Sequence, residues 1–264
     1  NQDDLLIEEL TVYENLYYNT QLCYKDLTNA AIETKITELL STIGLLDAKD
    51  LKVGSVLDKS ISGGQRKRLN IALELIREPS VLFVDEPTSG LSSRDSETIM
   101  DMLKELTFKG KLVFVVIHQP SSTIFKMFDQ LLVLDESGYP IFVGNPIDSV
   151  VYFKTCIEHA NAYESECETC GNVNPEQILN IVEAKVLDEY GNSTKQRKIS
   201  PIEWHQRYLE SSERKDPKTV ENELPNPAVS SSKPSRFKQF SIFFNRDVKS
   251  KLANTQYLLI NLLE

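Results

Sequence analysis

Val81-Leu82-Phe83-Val84-Asp85-Glu86 is a run of four apolar residues closed by two carboxylates. A short, continuous apolar run of this kind predicts a strand covered on both faces, as in parallel sheets. Leu112–Ile117 is a second such run, and a helical stretch from Asp95 to Leu106 lies between the two. Strand, helix, strand is the crossover unit of a parallel sheet. Open α/β sheets hold their ligands at the carboxyl ends of the strands, which is where Asp85 and Glu86 fall.

Two adjacent acids at such an edge suit a hydrated magnesium ion and a water molecule. Asp85 is the candidate metal ligand, direct or through a coordinated water. Glu86 is the candidate group to orient and polarise an attacking water. His118 closes the second apolar run at the same edge, where an imidazole can touch a phosphate. Upstream, Ser62-Gly63-Gly64-Gln65 opens a helix whose stripe is Leu69, Ala72, Leu73 and Ile76. A helix start with two glycines and a hydroxyl offers an anion backbone N–H groups and a positive helix end. Taken singly, each feature also has a plain reading: a strand ending in solvated acids, an edge histidine, a serine N-cap.

Before Ser62 the pattern is helical. Thr11 and Glu14 have the spacing of a capping box, and Ile32, Ile36, Leu39, Leu40 and Ile43 recur at helical intervals before Gly44. After His118, Leu131–Leu134 and Ile141–Val143 flank Glu136-Ser137-Gly138-Tyr139-Pro140, which predicts two edge strands joined by a turn. Helices are predicted over Pro175–Val186 and Glu203–Leu209. The stretch Ser211–Ser235 is rich in Ser, Pro and charge and reads as a linker. Beyond it, Phe237, Phe240, Phe243, Phe244, Val248 and Leu252 interleave with Arg236, Lys238, Arg246, Lys249 and Lys251. That is a basic amphipathic helix, suited to a membrane surface or to docking on a partner.

The 264 residues are 41% hydrophobic, enough for one main domain with an appendage. A formal net charge of −10 argues against nucleic acid as a partner. Four cysteines in so long a chain favour a reducing compartment, and Cys167-Glu168-Thr169-Cys170 is a lone C-x-x-C without the further ligands a zinc site needs. No apolar run is long enough to span a bilayer. The sequence contains no G-x-x-x-x-G-K-[ST] loop, since its one Gly-Lys pair, Gly110-Lys111, runs into Leu112. The chain reads as a piece of a longer protein.

Taken together, these residues resemble the ATP-binding domain of ABC ATPases. Ile61-Ser62-Gly63-Gly64-Gln65 is similar to their signature motif, and Val81–Glu86 to their Walker B strand with its catalytic glutamate. Ser89-Gly90-Leu91-Ser92 resembles the D-loop, His118 the switch histidine, and Gln2 the Q-loop glutamine that meets Mg²⁺. Gln65–Ala72, His118-Gln119-Pro120-Ser121-Ser122, Tyr152-Phe153 and Asn174-Pro175 are similar to the G subfamily of white and drug-resistance exporters. Ser92 departs from the pattern, which has Asp at that place.

The resemblance implies an α/β fold, the C-terminal half of an ABC ATPase (P-loop NTPase-like) domain with its helical subdomain, plus a mostly helical C-terminal appendage. The expected divisions are 1–77 (Q-loop and helical subdomain), 78–153 (core half), 154–210 (appendage), 211–235 (linker) and 236–264 (connecting helix before a membrane domain). It implies ATP and Mg²⁺ as cofactors, with Glu86 and His118 catalytic, Asp85 and Gln2 at the metal, and Gln2, Ser62, Gly63, Gly64, Gln65 and Ser89 at the nucleotide. The implied partners are a second ABC ATPase domain and a transmembrane domain fused C-terminally, at the cytoplasmic face of a membrane. A soluble ABC ATPase and a non-catalytic regulatory ABC domain are the alternative readings.

Overall fold

The computed structural model describes residues 5–55, 60–159, 161–167, 170–212, 233–255 and 257–258. The chain divides into two compact units, Asn1–Ile117 with Pro225–Glu264, and His118–Leu224.

The first unit begins with α1 (Val12–Cys23) and α2 (Asn29–Thr42). The Thr11–Glu14 capping box forms in both directions, the Thr11 N–H donating to Glu14 Oε2 at 2.9 Å and the Glu14 N–H to Thr11 Oγ1 at 3.1 Å. Ile32, Ile36, Leu40 and Ile43 are buried, so the predicted stripe of α2 faces the core, and Gly44 takes the left-handed φ of +64° that ends the helix. α3 (Gly63–Leu75) follows, with Leu69, Ala72, Leu73 and Ile76 buried as the periodicity requires.

β1 (Val81–Asp85) and β2 (Leu112–Val116) pair in parallel, Val81 opposite Leu112 and Asp85 opposite Val116, with α4 (Ser93–Phe108) as the crossover. Gly110-Lys111 is part of this crossover and not a phosphate loop. Gly110 sits at φ +81° after α4, and Lys111 Nζ donates to the Pro79 carbonyl at 2.8 Å.

The expectation that both faces of these strands are covered does not hold among the described residues. Leu82 is buried, and α4 packs on this unit's sheet through β2. The opposite face carries Val81, Phe83, Leu112, Phe114 and Val116, all exposed, with Phe83 at 75%. The Phe83 and Phe114 rings stack at 4.8 Å, so they shield one another. An unbroken apolar run reports two apolar faces, and the structure fills one.

α9 (Arg236–Ala253) belongs to this first unit and packs on α1. It buries Ile242 and leaves Phe237, Phe240 and Phe244 exposed. Lys249 pairs with Glu14 at 2.6 Å, and Ser250 Oγ and Asn254 Nδ2 donate to the Glu9 carboxylate at 3.1 and 3.2 Å. Within the connecting helix expected over 236–264, α9 runs from Arg236 to Ala253, and residues 259–264 lie outside the described residues.

The second unit contains α5 (Ser122–Met127), β3 (Leu131–Leu134), β4 (Pro140–Gly144), α6 (Pro146–Cys156), α7 (Glu176–Val182), β5 (Lys185–Leu187), β6 (Ser193–Arg197) and α8 (Pro201–Ser212). β3 and β4 form the predicted antiparallel pair. The core gathers Phe125, Ile141, Phe142, Val150, Phe153, Val173, Ile178, Val182 and Trp204. Trp204 is fully buried, edge-on to Phe153 at 5.4 Å.

One expectation changes here. The helix predicted over Pro175–Val186 ends at Val182, and the residues after it enter a β5–β6 hairpin. Asp188 makes that turn, its carboxylate accepting from the N–H groups of Tyr190 and Asn192 at 2.9 and 2.8 Å, with Gly191 at φ +81°. Arg197 of β6 closes the hairpin on Asp135, a nearly buried carboxylate 2.7 Å away. Most of the Ser211–Ser235 linker lies outside the described residues. No helix among the described residues is long and apolar enough to cross a membrane.

Candidate functional site

β1 ends at Asp85, whose side chain is exposed at the carboxyl edge of the parallel pair. The next residue turns the chain sharply. Glu86 has φ +44°, in the left-handed region that a residue with a Cβ enters at a cost of about 1–2 kcal/mol. Its N–H still bonds back to Val116 O at 2.8 Å, so the turn begins while the backbone is held by β2. Ser89 N–H reaches Glu86 O at 3.3 Å, Leu91 N–H reaches Thr88 O at 3.3 Å, and Gly90 sits at φ +73°. The reversal leaves Asp85 and Glu86 side by side on a fixed support, Glu86 half-buried and Ser89 exposed.

A hydrated magnesium ion keeps most of its waters and takes one or two carboxylates from protein. Asp85 fits that modest demand, and no group of three or more metal-binding side chains occurs among the described residues. Gln2, the other residue expected at the metal, lies outside the described residues.

The helix start is equally well defined. The Ser62 Oγ accepts from the Gln65 N–H at 3.2 Å, and the Gln65 Oε1 accepts from the Ser62 N–H at 2.8 Å. This reciprocal cap occupies the Gln65 carbonyl oxygen, while the Ser62 hydroxyl retains its own hydrogen for donation. Ser62 and Gly63 are exposed and Gly64 is buried, so the end of α3 presents a small, donor-rich surface.

Sequence reasoning missed what α3 rests on. A Cβ at Gly64 would lie 2.7 Å from Asp95 Oδ1 and 2.9 Å from its Cγ, and one at Gly63 would lie 3.4 Å from Leu91 Cδ2. Asp95 is itself held in place. The Ser92 hydroxyl donates to Asp95 Oδ2 at 2.8 Å and accepts from the Asp95 N–H at 3.2 Å, which makes Ser92 the N-cap of α4. The one sequence signal for this was the Ser-x-x-Asp capping spacing from Ser92 to Asp95. Arg68, one turn along α3, donates to Ile43 O at 2.8 Å. Burial pulls its pKa down while the charge of Asp95 acts against that pull. The loop that follows the Asp85-Glu86 pair is therefore tied through Ser92 and Asp95 to the glycines at the start of α3. His118 opens the second unit, is exposed, and is followed by Gln119 at φ +44°.

Residues 1–89 match the model of the family described as ABC transporter. The chain is 37% identical over 168 residues to the broad substrate specificity ATP-binding cassette transporter ABCG2 of Mus musculus, covering 63% of this chain and 25% of that protein. It is 39% identical over 150 residues to ABC transporter G family member 28 of Arabidopsis thaliana, covering 56% of this chain and 13% of the relative. It is 38% identical over 152 residues to an uncharacterized ABC transporter ATP-binding protein/permease of Saccharomyces cerevisiae, covering 57% and 12%. The chain thus spans a quarter or less of the length of these relatives.

Proposed function

We propose that the chain is part of a G-type ABC transporter nucleotide-binding domain, and so part of the engine that hydrolyses ATP to drive transport across a membrane, a reading supported by its similarity to that family. The observation that carries this reading is the reversal after β1, which sets Asp85 and Glu86 together at the sheet edge and leads through Ser92 and Asp95 to the Ser62–Gln65 helix start.

Asp85 is the residue to hold Mg²⁺, and bound magnesium offsets charge on the phosphates and orients them. Glu86 accepts the proton of the attacking water and aims its lone pair. Ser62, Gly63, Gly64 and Gln65 offer backbone and side-chain donors to a γ-phosphate, with Ser89 on the adjoining loop; His118, which belongs to the other unit, is a phosphate contact by the family resemblance. These 264 residues hold no G-x-x-x-x-G-K-[ST] loop, so the triphosphate is gripped by sequence outside them and the chain alone turns over no ATP. The glycine-rich helix start then serves as the lid on a nucleotide held by a second ATPase domain. The exposed phenylalanines and lysines of α9 suit the cytoplasmic surface of the membrane next to a transmembrane domain.

The test is Mg-ATP hydrolysis by the whole protein beside its Glu86→Gln variant, with nucleotide binding measured in both. Turnover in the parent that the variant loses, with binding retained, supports the engine. Binding without turnover in either makes the domain regulatory. Turnover that survives Glu86→Gln removes Glu86 from the mechanism.

A further inference from the structure

Lys154, in the last turn of α6, is only 9% exposed, yet it has a single hydrogen-bond partner among the described residues, the Glu164 carbonyl 2.7 Å from its Nζ. An ammonium carries three N–H donors, and a lysine buried this deeply is ordinarily paired with an acid. No ion pair among the described residues includes it. Two donors and a full positive charge are therefore left without an acceptor from the chain, and burial makes that costly. Its place near the end of α6 suits the helix dipole but does not supply the missing acceptors.

The same side chain lines a cavity of about 340 Å³, within the size range of small-molecule sites. α7, which packs against α6, supplies another wall. Gln177, Asn180 and Ile181 stand at i, i+3 and i+4 and so share one side of α7, while Ile178 and Val182 turn into the core. The side-chain amides of Gln177 and Asn180 make no hydrogen bond among the described residues, so each offers two N–H donors. Glu164 lines the cavity as well. Its Oε2 accepts from Asn161 Nδ2 at 3.0 Å, which leaves Oε1 as an acceptor. The cavity thus combines a cation, uncommitted amide donors and one carboxylate oxygen.

We propose that this cavity binds a small organic phosphate monoester that also carries hydroxyl groups, its phosphate on Lys154, Gln177 and Asn180 and a hydroxyl on Glu164. A lone ammonium acts as a point charge, which suits the several directions of a tetrahedral phosphate. The planar fork that matches a carboxylate belongs to arginine, and no arginine lines the cavity. Ionised phosphate oxygens accept from Lys154 and the two amides. The Glu164 oxygen repels a second anionic group and accepts from a hydroxyl. Every lining residue belongs to the second unit, and the inference stands independently of the transport reading.

The experiment is hydrogen exchange on the whole protein, read by mass spectrometry on peptides from 150–156 and 176–182, with glycerol 3-phosphate as the probe. Succinate and sodium chloride at the same ionic strength are the controls. Saturable protection of both peptides by glycerol 3-phosphate is expected, up to about 100-fold slower exchange once the probe reaches about 100 times its Kd. Lys154 also holds the chain at Glu164, so its variants disturb the local fold. Asn180, exposed on α7, provides the deciding change. Asn180→Asp puts a negative charge beside the phosphate and should weaken the apparent affinity at least about tenfold, while exchange without the probe stays as in the parent. The proposal is overturned if glycerol 3-phosphate does not protect both peptides, if succinate or chloride protects them equally, or if Asn180→Asp binds as the parent does.

Discussion

Gly64→Ala puts one methyl group into the contact between α3 and α4. The new Cβ would stand 2.7 Å from Asp95 Oδ1, closer than such atoms pack, and Asp95 is not free to swing because Ser92 bonds both its carboxylate and its N–H. Overpacking of this kind costs about 1–3 kcal/mol. Pushing Asp95 aside adds about 1 kcal/mol for the disturbed Ser92 cap. Alanine returns up to about 1 kcal/mol through its helix propensity over glycine. The net is a local destabilisation of about 1–3 kcal/mol, or about a 5- to 150-fold larger opening equilibrium constant where α3 meets α4. Hydrogen exchange read by mass spectrometry on peptides from 62–75 and 92–108 measures that opening directly. The Gly64→Ala/Asp95→Ala double variant removes the two closest contacts, at 2.7 and 2.9 Å, and leaves the Cβ at 3.1 Å, so its loss should fall short of the sum of the two single losses by about 1 kcal/mol. Unchanged protection in Gly64→Ala, or strict additivity in the double variant, would refute the idea that Asp95 fixes the start of α3.

Two further outcomes are expected. Phe153→Ala removes the ring that meets Trp204 edge-on at 5.4 Å inside the second unit and should destabilise that unit by about 3–5 kcal/mol. Trp204 is the sole tryptophan, so its fluorescence follows this unit by itself, and a midpoint unchanged by the substitution would count against the packing. The contact of α9 with α1 should depend on pH at both ends of the range. For Glu14, burial raises the pKa but the hydrogen bonds from Lys249 and Thr11 outweigh it, leaving it below the ordinary carboxylate value. For Lys249, the hydrogen bond to Glu14 raises the pKa. A lowered acid gives stability present above its unfolded pKa and lost as pH falls through the folded one. A raised base gives stability present below its unfolded pKa and lost as pH rises through the folded one. Exchange protection of α9 should therefore be greatest near neutrality and decline below about pH 4 and above about pH 10.5, and Lys249→Met should flatten the profile.

The parts of the fold that could be read from sequence are those where one physical signal dominates. Buried stripes at helical spacing marked α2 and α3, and unbroken apolar runs marked β1 and β2. The β5–β6 hairpin was not legible because Ser193–Arg197 is polar and has no period of its own. It is held by the local Asp188 turn and by the Arg197–Asp135 pair, a contact made across 62 residues of sequence. Pro175–Val186 misled because its apolar residues continue past Val182 into β5, and a short apolar run suits either structure. In the site, Asp85, Glu86 and Ser62 announced themselves by residue type at the end of a strand or the start of a helix. The support from Asp95 beneath Gly64 did not, since it depends on the packing of two helices that no local pattern records.

The left-handed backbone at Glu86 has a consequence for inheritance. Most changes that abolish an activity also weaken the fold, and the cell removes them. Here the reverse holds, since glycine enters φ +44° with less strain than glutamate does. On the proposed reading, a Glu86→Gly allele would relieve backbone strain while removing the carboxylate on which turnover depends. In a cell carrying both alleles, and with the proposed second ATPase domain as partner, such a copy would enter assemblies that it could not drive. On that reading, damage at this codon would act dominantly, whereas damage to the core of the same unit would be lost with the unfolded protein.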